Sequence, residues 1–347
     1  MWNKVVIAGY FGFQNMGDEA VLYSEIKMLR ALQPNIEIQV LSNEPVVTSA
    51  IYQVKSVNRW KLIQVISALS KTDVFILGGG SLFQDVNSLK SIIYYYGITQ
   101  LALWLHKPVI FFGQGFGPLN SKIAQKLVKR ICNKVSSINL RDEDSLRLLQ
   151  KIGVTAKMKV TADSVFALAK PNACKPRTSR IAFVMRSWKN KESYCASIAK
   201  LADKLIVEGW TVEFLAFHLP QDEEIAKYIM GLMKQTAVLR ERITSVAAME
   251  IALAEYDLVI GMRLHALIMA ANVHTPSIGI SYDPKVSSLM DNLQLPYYNC
   301  ETELCVADLM STIADMMNNY EKIVTELSIR VAKFANIAKI AMQDNFE

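Results

Sequence analysis

Tyr256-Asp257-Leu258-Val259-Ile260-Gly261-Met262-Arg263-Leu264-His265-Ala266-Leu267 is the stretch on which the reading of the fold turns. Its first half is a short, branched apolar run closed by a glycine, the pattern of a strand buried in a parallel sheet. From Ala266 to Asn272 the residues read as a helix packed on that sheet. Arg263 and His265 therefore stand at the carboxyl end of a strand and near the start of a helix. Open α/β sheets place their ligands at that edge. The free N–H groups and positive potential of a helix N-terminus favour an anionic guest.

The same strand–helix alternation runs outward in both directions. Lys4 to Gly9, Glu37 to Ser42, Asp73 to Leu77 and Pro108 to Gly113 read as strands, with a helix from Asp18 to Leu32. Two prolines and positive charge over Ala169–Arg177 mark a linker. Alternation then restarts with a strand at Arg180–Met185, a helix at Ser193–Glu208 and strands at Thr211–Phe217 and Ser277–Ser281. Leu309–Met342 has helical spacing and no proline, which predicts one or two terminal helices. Alternation of this kind implies parallel sheets covered on both faces. The expected architecture is α/β, with two Rossmann-like doubly wound domains, 1–170 and 171–347, and a cleft between them. The length of 347 residues agrees with two cores.

The bulk composition excludes several classes. A net charge of +6 is mildly basic, short of a dedicated nucleic-acid binder, and suits anionic substrates or an anionic membrane surface. Five scattered cysteines without a CxxC pair, and only four histidines, argue against a structural zinc site and for a reduced, cytoplasmic compartment. No signal peptide is read. The longest apolar stretch, Ser91–Leu105, is shorter than the roughly 20 residues needed to span a bilayer. It reads first as a buried helix, and second as an interfacial one through Tyr94–Trp104.

Three glycine-rich segments follow strands: Gly9–Gly17, Gly78–Gly80 and Gly113–Gly117. The first has the spacing GxxGxxxxG, so it is neither a dinucleotide fingerprint nor a Walker loop. Together the three outline one wall of a cleft. Asp18 serves equally well as a helix-start acid or as a contact to a substrate hydroxyl. Arg141 and Asp142 read as a local ion pair at a helix start, and Asp163 ends another strand. Arg186, after the first strand of the second domain, and Lys285, after Ser277–Ser281, join Arg263 and His265 as strand-end cations. Guanidinium groups match carboxylate and phosphate in bidentate fashion, so this set describes a small polyanion site.

The motifs GYFGFQNMGDEA, DVFILGGGSLFQD, PVIFFGQGFGP, RDEDS, VTADSVF, GMRLHALI and SYDPKV, in that order from Gly9 to Val286, carry a resemblance. The chain resembles the polysaccharide pyruvyl transferases, most closely the bacterial branch acting on secondary cell-wall polymers. Ser164 departs from the family's proline in VTADP, and the match around Arg186 is loose. The resemblance implies a fold similar to the GT-B glycosyltransferases. It also implies transfer of a pyruvate unit from phosphoenolpyruvate to two hydroxyls of a sugar, with loss of phosphate. The implied acceptor is N-acetylmannosamine in a lipid-pyrophosphate-linked disaccharide, ketalised across its 4- and 6-hydroxyls.

On this reading Arg263 and Arg186, with Lys285, clamp the donor, and His265 is the general acid. Asp18 orients or deprotonates the acceptor. Gly12, Asn15, Gly17, Gly79, Gly80 and Gln114 are expected to line the substrate. No metal or other cofactor is expected, since arginines can neutralise the phosphate. A lipid-linked acceptor implies peripheral contact with the inner leaflet. Two rivals stand beside this reading: a GT-B glycosyltransferase using a nucleotide sugar, and a non-catalytic glycan- or lipid-binding relative.

Overall fold

The computed structural model describes residues 2–86, 88–171 and 176–346. The expected linker falls partly on 172–175, which lie outside the described residues, as does Cys174. The chain divides into two compact units: Met1–Phe13 with Asp18–Ala167 and Phe334–Glu347, and Gln14–Gly17 with Leu168–Lys333.

The first unit holds the strands β1 (Lys4–Ala8), β2 (Glu37–Ser42), β3 (Lys55–Asn58), β4 (Val74–Leu77), β5 (Gly80–Phe83), β6 (Val109–Phe116), β7 (Ser137–Leu140) and β8 (Met158–Val160). They form one sheet in the order β3-β2-β1-β4-β6-β7-β8, with β5 also pairing to β6. Every pairing is parallel. The direction of winding reverses between β1 and β4, so the ligand crevice of this unit lies beyond the carboxyl ends of those two strands. The apolar runs Val5–Ala8 and Val74–Leu77 are buried throughout, as central parallel strands require.

The second unit holds β9 (Arg180–Val184), β10 (Thr211–Phe214), β11 (Val238–Leu239), β12 (Leu258–Gly261), β13 (Ser277–Ser281) and β14 (Tyr297–Asn299). Their order is β11-β10-β9-β12-β13-β14, again all parallel. Counted within the unit this is 3-2-1-4-5-6, the doubly wound order of dinucleotide-binding folds. Its switch point falls between β9 and β12, so the residues after these two strands face one crevice.

Two features differ from the sequence-based expectation. The helix Tyr320–Asp344 does not belong wholly to the second unit: from Phe334 onwards the chain is part of the first. There Phe334 stacks on Phe166 at 5.0 Å, and Asn345 donates to the side chain of Asn139 at 2.7 Å. Second, Gly113–Phe116 is no loop. It continues β6, because β5 supplies the backbone partner that a turn would lack. Gly113, at φ +60, absorbs the register shift between Phe111 and Gln114.

Candidate active site

In the second unit the strand ends converge as the topology demands. Arg263 caps the helix Leu264–Asn272 with extended backbone, directly after β12. Its Nε donates to Asp222 at 3.0 Å, and its Nη2 pairs with the other carboxylate oxygen. Asp222 is fully buried in the first turn of the helix Gln221–Leu232, and it also accepts from the backbone N–H of Phe217 (3.1 Å) and His218 (2.9 Å). One buried carboxylate therefore ties together the loops after β10 and β12. The fork-on-carboxylate geometry fixes the guanidinium plane as a single hydrogen bond would not.

Arg186, after β9, sits in an aromatic cage. Its Nη1 donates to the Tyr282 hydroxyl at 2.6 Å, and its guanidinium lies over Tyr282 and Trp188, 4.4 and 5.1 Å from the ring centroids. Tyr194 braces the turn: its hydroxyl donates to the Arg186 carbonyl at 2.8 Å and accepts from Trp188 N–H at 3.0 Å. Two donors of this cage, Arg186 Nε and Trp188 Nε1, are buried with no acceptor. A buried unpaired donor costs about 1–3 kcal/mol, so an acceptor-rich ligand placed here recovers that cost. Burial pushes the His218 imidazole below its usual range, and the positive charges of Arg263 and Arg186 push the same way against Asp222.

The first glycine segment contributes to this unit as well. Gln14–Met16 runs antiparallel to Phe217–Leu219, with Met16 N–H donating to Phe217 O at 2.7 Å and Leu219 N–H to Gln14 O at 3.1 Å. Asn15 accepts from Gly17 N–H at 3.1 Å. Gly17 is held to glycine by His265, since a Cβ there would stand 2.4 Å from the imidazole Nδ1. Lys285 is drawn back to Asp283 at 3.3 Å, the acid that caps its own helix Pro284–Leu293.

In the first unit the buried Arg59, just after β3, pins the end of β1. Its Nη1 donates to Gly9 O at 2.6 Å and its Nη2 to the Tyr95 hydroxyl at 3.2 Å. The rings of Phe13, Trp60, Tyr94 and Tyr95 surround the guanidinium at 4.3–5.5 Å. Arg59→Leu leaves the Gly9 carbonyl and a tyrosine hydroxyl without their donor. It is expected to cost about 2–4 kcal/mol of unfolding free energy in denaturant titration. A loss below the error of the titration would show that the cage closes without the cation.

Asp18 lies at Gly80: a Cβ on that glycine, whose φ is +101, would come 3.2 Å from Oδ1. The charge of Asp18 also contributes to raising the Tyr10 hydroxyl, after burial. Gly12, at φ +76, donates its N–H to Glu19 at 2.8 Å. Gly79 donates to Glu25 at 2.8 Å. Gln114 is fully buried, its amide donating to Leu77 O at 3.1 Å and to Gly78 O. Gln114 and the amides of Gly12 and Gly79, expected at the substrate, are thus engaged with the protein's own carboxylates and backbone carbonyls. Arg141 is buried between Asp142 and Asp163, each at 3.3 Å, and donates to Ser81 at 2.8 Å, which is more than the local pair expected.

A model of the family described as "Polysaccharide pyruvyl transferase" matches residues 15–284. The chain belongs to the polysaccharide pyruvyl transferase family. The amylovoran biosynthesis protein AmsJ of Erwinia amylovora is 23% identical over 92% of this chain and 93% of its own length. Among solved structures, Anabaena Alr3699/HepE in complex with UDP-glucose superposes with a TM-score of 0.68 at 11% identity, covering 100% of this chain and 99% of that one. A putative UDP-N-acetylglucosamine 2-epimerase from Listeria monocytogenes gives 0.70 at 11% identity, over 100% and 95%. At such identities the likeness shows the fold, a GT-B-like pair of α/β domains.

The matched span of this pyruvyl transferase includes Asn15, Asp18, Arg186, His218, Asp222, Arg263 and His265, and ends one residue before Lys285. His218, Asp222, Trp188 and Tyr282 were not singled out from sequence. A signal existed for the first two. Phe214 ends a strand, and Ala216-Phe217-His218-Leu219-Pro220 follows it before an acidic helix start, the same strand–loop–helix grammar that marks Arg263. Among the described residues no group of three or more His, Cys, Asp or Glu is placed to hold a metal ion. Nor is any helix among them long and apolar enough to cross a membrane.

Proposed function

We propose that this pyruvyl transferase moves the pyruvate unit of phosphoenolpyruvate onto two hydroxyls of one sugar and releases inorganic phosphate. The observation that carries the donor assignment is the Arg186 cage, with two buried donors lacking acceptors, in the same unit as the Asp222-oriented Arg263. Phosphoenolpyruvate presents a carboxylate and a phosphate, and so takes two cationic holders. Lys285 is a third cation of the same crevice edge, held near Asp283.

In the proposed sequence His265 delivers a proton to the methylene carbon, which becomes the methyl group. The adjacent carbon gains oxocarbenium character and one sugar hydroxyl adds to it. The carbon–oxygen bond to phosphate breaks, and the second hydroxyl closes the ketal. Two hydroxyl protons are released in all: one balances the proton placed on carbon, the other leaves with phosphate or solvent. Asp18 is the candidate to receive a hydroxyl proton. Arginine charge, fixed before the substrate arrives, stabilises the departing phosphate without reorganisation. The acceptor we propose is N-acetylmannosamine in a lipid-pyrophosphate-linked cell-wall precursor, ketalised at its 4- and 6-hydroxyls.

The test is phosphate release from phosphoenolpyruvate with and without such an acceptor, followed by product mass. Acceptor-dependent release, with a product heavier by pyruvate less water, is the expected result. Consumption of a nucleotide sugar in place of phosphoenolpyruvate would overturn the reading. A second check addresses the cage. Arg186→Met is expected to raise the KM for phosphoenolpyruvate roughly tenfold to a hundredfold, the worth of a charge-assisted hydrogen bond, with a smaller change in kcat. An unchanged KM would remove Arg186 from the donor site.

A further inference from the structure

The segment from Pro45 to Thr72 contains no aspartate or glutamate, yet it carries Lys55, Arg59, Lys61 and Lys71; Arg59 is buried and Lys55 pairs with Glu37 at 3.3 Å, so the outward charge of the segment rests on Lys61 and Lys71. Seven of the twenty large apolar side chains that stand exposed among the described residues fall within it: Val46, Val47, Ile51, Trp60, Leu62, Ile63 and Ile66. The helix Leu62–Lys71 buries Val65, Ala68 and Leu69 against the first unit and turns Leu62, Ile63 and Ile66 outward. Those three are neighbours at helical spacings of three and four, so they form one face. Ile63 is 84% exposed. Lys61 and Lys71 bracket this face at its two ends.

Trp60 extends the patch. Its indole donates to the Asn43 side chain at 2.9 Å and lies 5.3 Å from the Tyr94 ring, while most of its surface stays open. Asn43 precedes the helix Pro45–Tyr52, on which Val46 and Val47 are exposed, and Ile93, the neighbour of Tyr94 in sequence, is exposed as well. Beneath the Leu62–Lys71 helix a groove of about 680 Å³ is lined by Ile63, Val57 and Lys71 among others. By contrast, the stretch Tyr94–Trp104, whose first reading is a buried helix and whose second is an interfacial one, turns Tyr95, Ile98 and Ala102 into the core and exposes Trp104.

We propose that this face is a docking surface for an anionic lipid bilayer. Apolar side chains flanked by lysines, with an indole at the margin and no acid in the segment, match an interface whose outer layer is anionic and whose next layer is hydrocarbon. A water-facing surface would scatter such side chains singly, and a protein partner's core would not demand an acid-free segment. The proposal goes beyond the transfer reaction proposed above and does not depend on it.

The experiment is vesicle flotation of the full chain with phosphatidylcholine alone and with added phosphatidylglycerol. Binding to the anionic vesicles, weakened by salt, is expected. The double variant Leu62→Glu with Ile63→Glu is expected to reduce it roughly tenfold or more, because both side chains are exposed and lose their apolar burial. Lys61→Glu with Lys71→Glu is expected to remove the preference for anionic vesicles. Circular dichroism and melting temperature should stay at wild-type values in both. Three outcomes would each overturn the proposal: no flotation, flotation unchanged in the Leu62/Ile63 variant, or equal binding to neutral vesicles. A concentration-dependent dimer abolished by the same variant would assign the face to a second copy instead. Phosphate release with a soluble acceptor is read separately, so failure of lipid binding and failure of the reaction are distinguishable.

Discussion

On the proposed reaction, Arg263→Ala is expected to lose about two to three orders of magnitude in kcat/KM for phosphoenolpyruvate, the usual cost of removing a fixed donor aimed at developing charge. It is also expected to lose stability, which an ordinary ligand-binding arginine would not. Asp222 is fully buried and would be left as an anion with only the N–H groups of Phe217 and His218. Breaking a buried pair from one side typically costs about 3–5 kcal/mol. The two losses separate in the double variant Arg263→Ala with Asp222→Asn. The asparagine oxygen still accepts the two backbone N–H groups and carries no charge, so most of the stability should return. Activity should not, because the cation is still absent. Denaturant titration and phosphate release on the same three proteins decide it. Full activity in Arg263→Ala would remove the arginine from the chemistry. Loss of activity without loss of stability would mean that Asp222 finds solvent or another cation. Asp222→Asn alone is informative too: it leaves Arg263 charged and loosely held, so turnover should fall more than binding.

The architecture was legible because its signals are local. The apolar runs at Val5–Ala8, Val74–Leu77, Ile181–Val184 and Leu258–Ile260 are central strands buried on both faces, and glycine closes several of them. Two of the edge strands were not legible. Lys55–Asn58 is polar and half exposed, and Val238–Leu239 is two residues long; each is a strand only because a neighbour offers its backbone. The glycine segments misled for the same reason. Gly80–Phe83 and Gly113–Phe116 look like turns one at a time and become strands by pairing with each other.

At the candidate site, Arg186 and Arg263 were singled out because each stands two residues beyond a strand, and His265 because it lies two residues beyond Arg263. Their partners were not. Asp222 looks in sequence like an acid favouring a helix dipole, and only the 3-2-1-4-5-6 order, with β9 alone between β10 and β12, lets the loop after β10 meet Arg263 after β12. Arg59 reads as a surface arginine in a polar loop. Four aromatic rings from three separate segments bury it, and no local pattern encodes that convergence.

Glu25 lies in the helix Met16–Leu32 behind the Gly78–Gly80 turn, and its titration should set the alkaline limit of stability. Its carboxyl is fully buried. Burial pushes it up to about 8, the charge of Asp163 adds to this, and the N–H of Gly79 opposes it. Oε1 accepts from that N–H at 2.8 Å, whereas the buried Oε2 has no partner. An ionised carboxylate here would keep one oxygen unsolvated. The native chain therefore holds Glu25 protonated at neutral pH, while the unfolded chain ionises it near its ordinary value of about 4.3. The folded pKa is raised, so the native state binds the extra proton. The resulting stability is complete below about 4.3 and is lost as pH rises from there towards 8. Glu25→Gln removes this dependence, because the amide is neutral at every pH and its oxygen still accepts from Gly79. Near pH 5 the variant should match wild type closely. Near pH 9 it should be the more stable protein by at least about 1 kcal/mol, a small part of what so large a displacement of the carboxyl titration allows. Melting curves across that range test it. Parallel curves for the two proteins would mean that water reaches Glu25 and the carboxylate is accommodated. Phosphate release should change little at neutral pH, since the neutral amide reproduces the protonated acid that braces the turn beside Asp18 and Gly80.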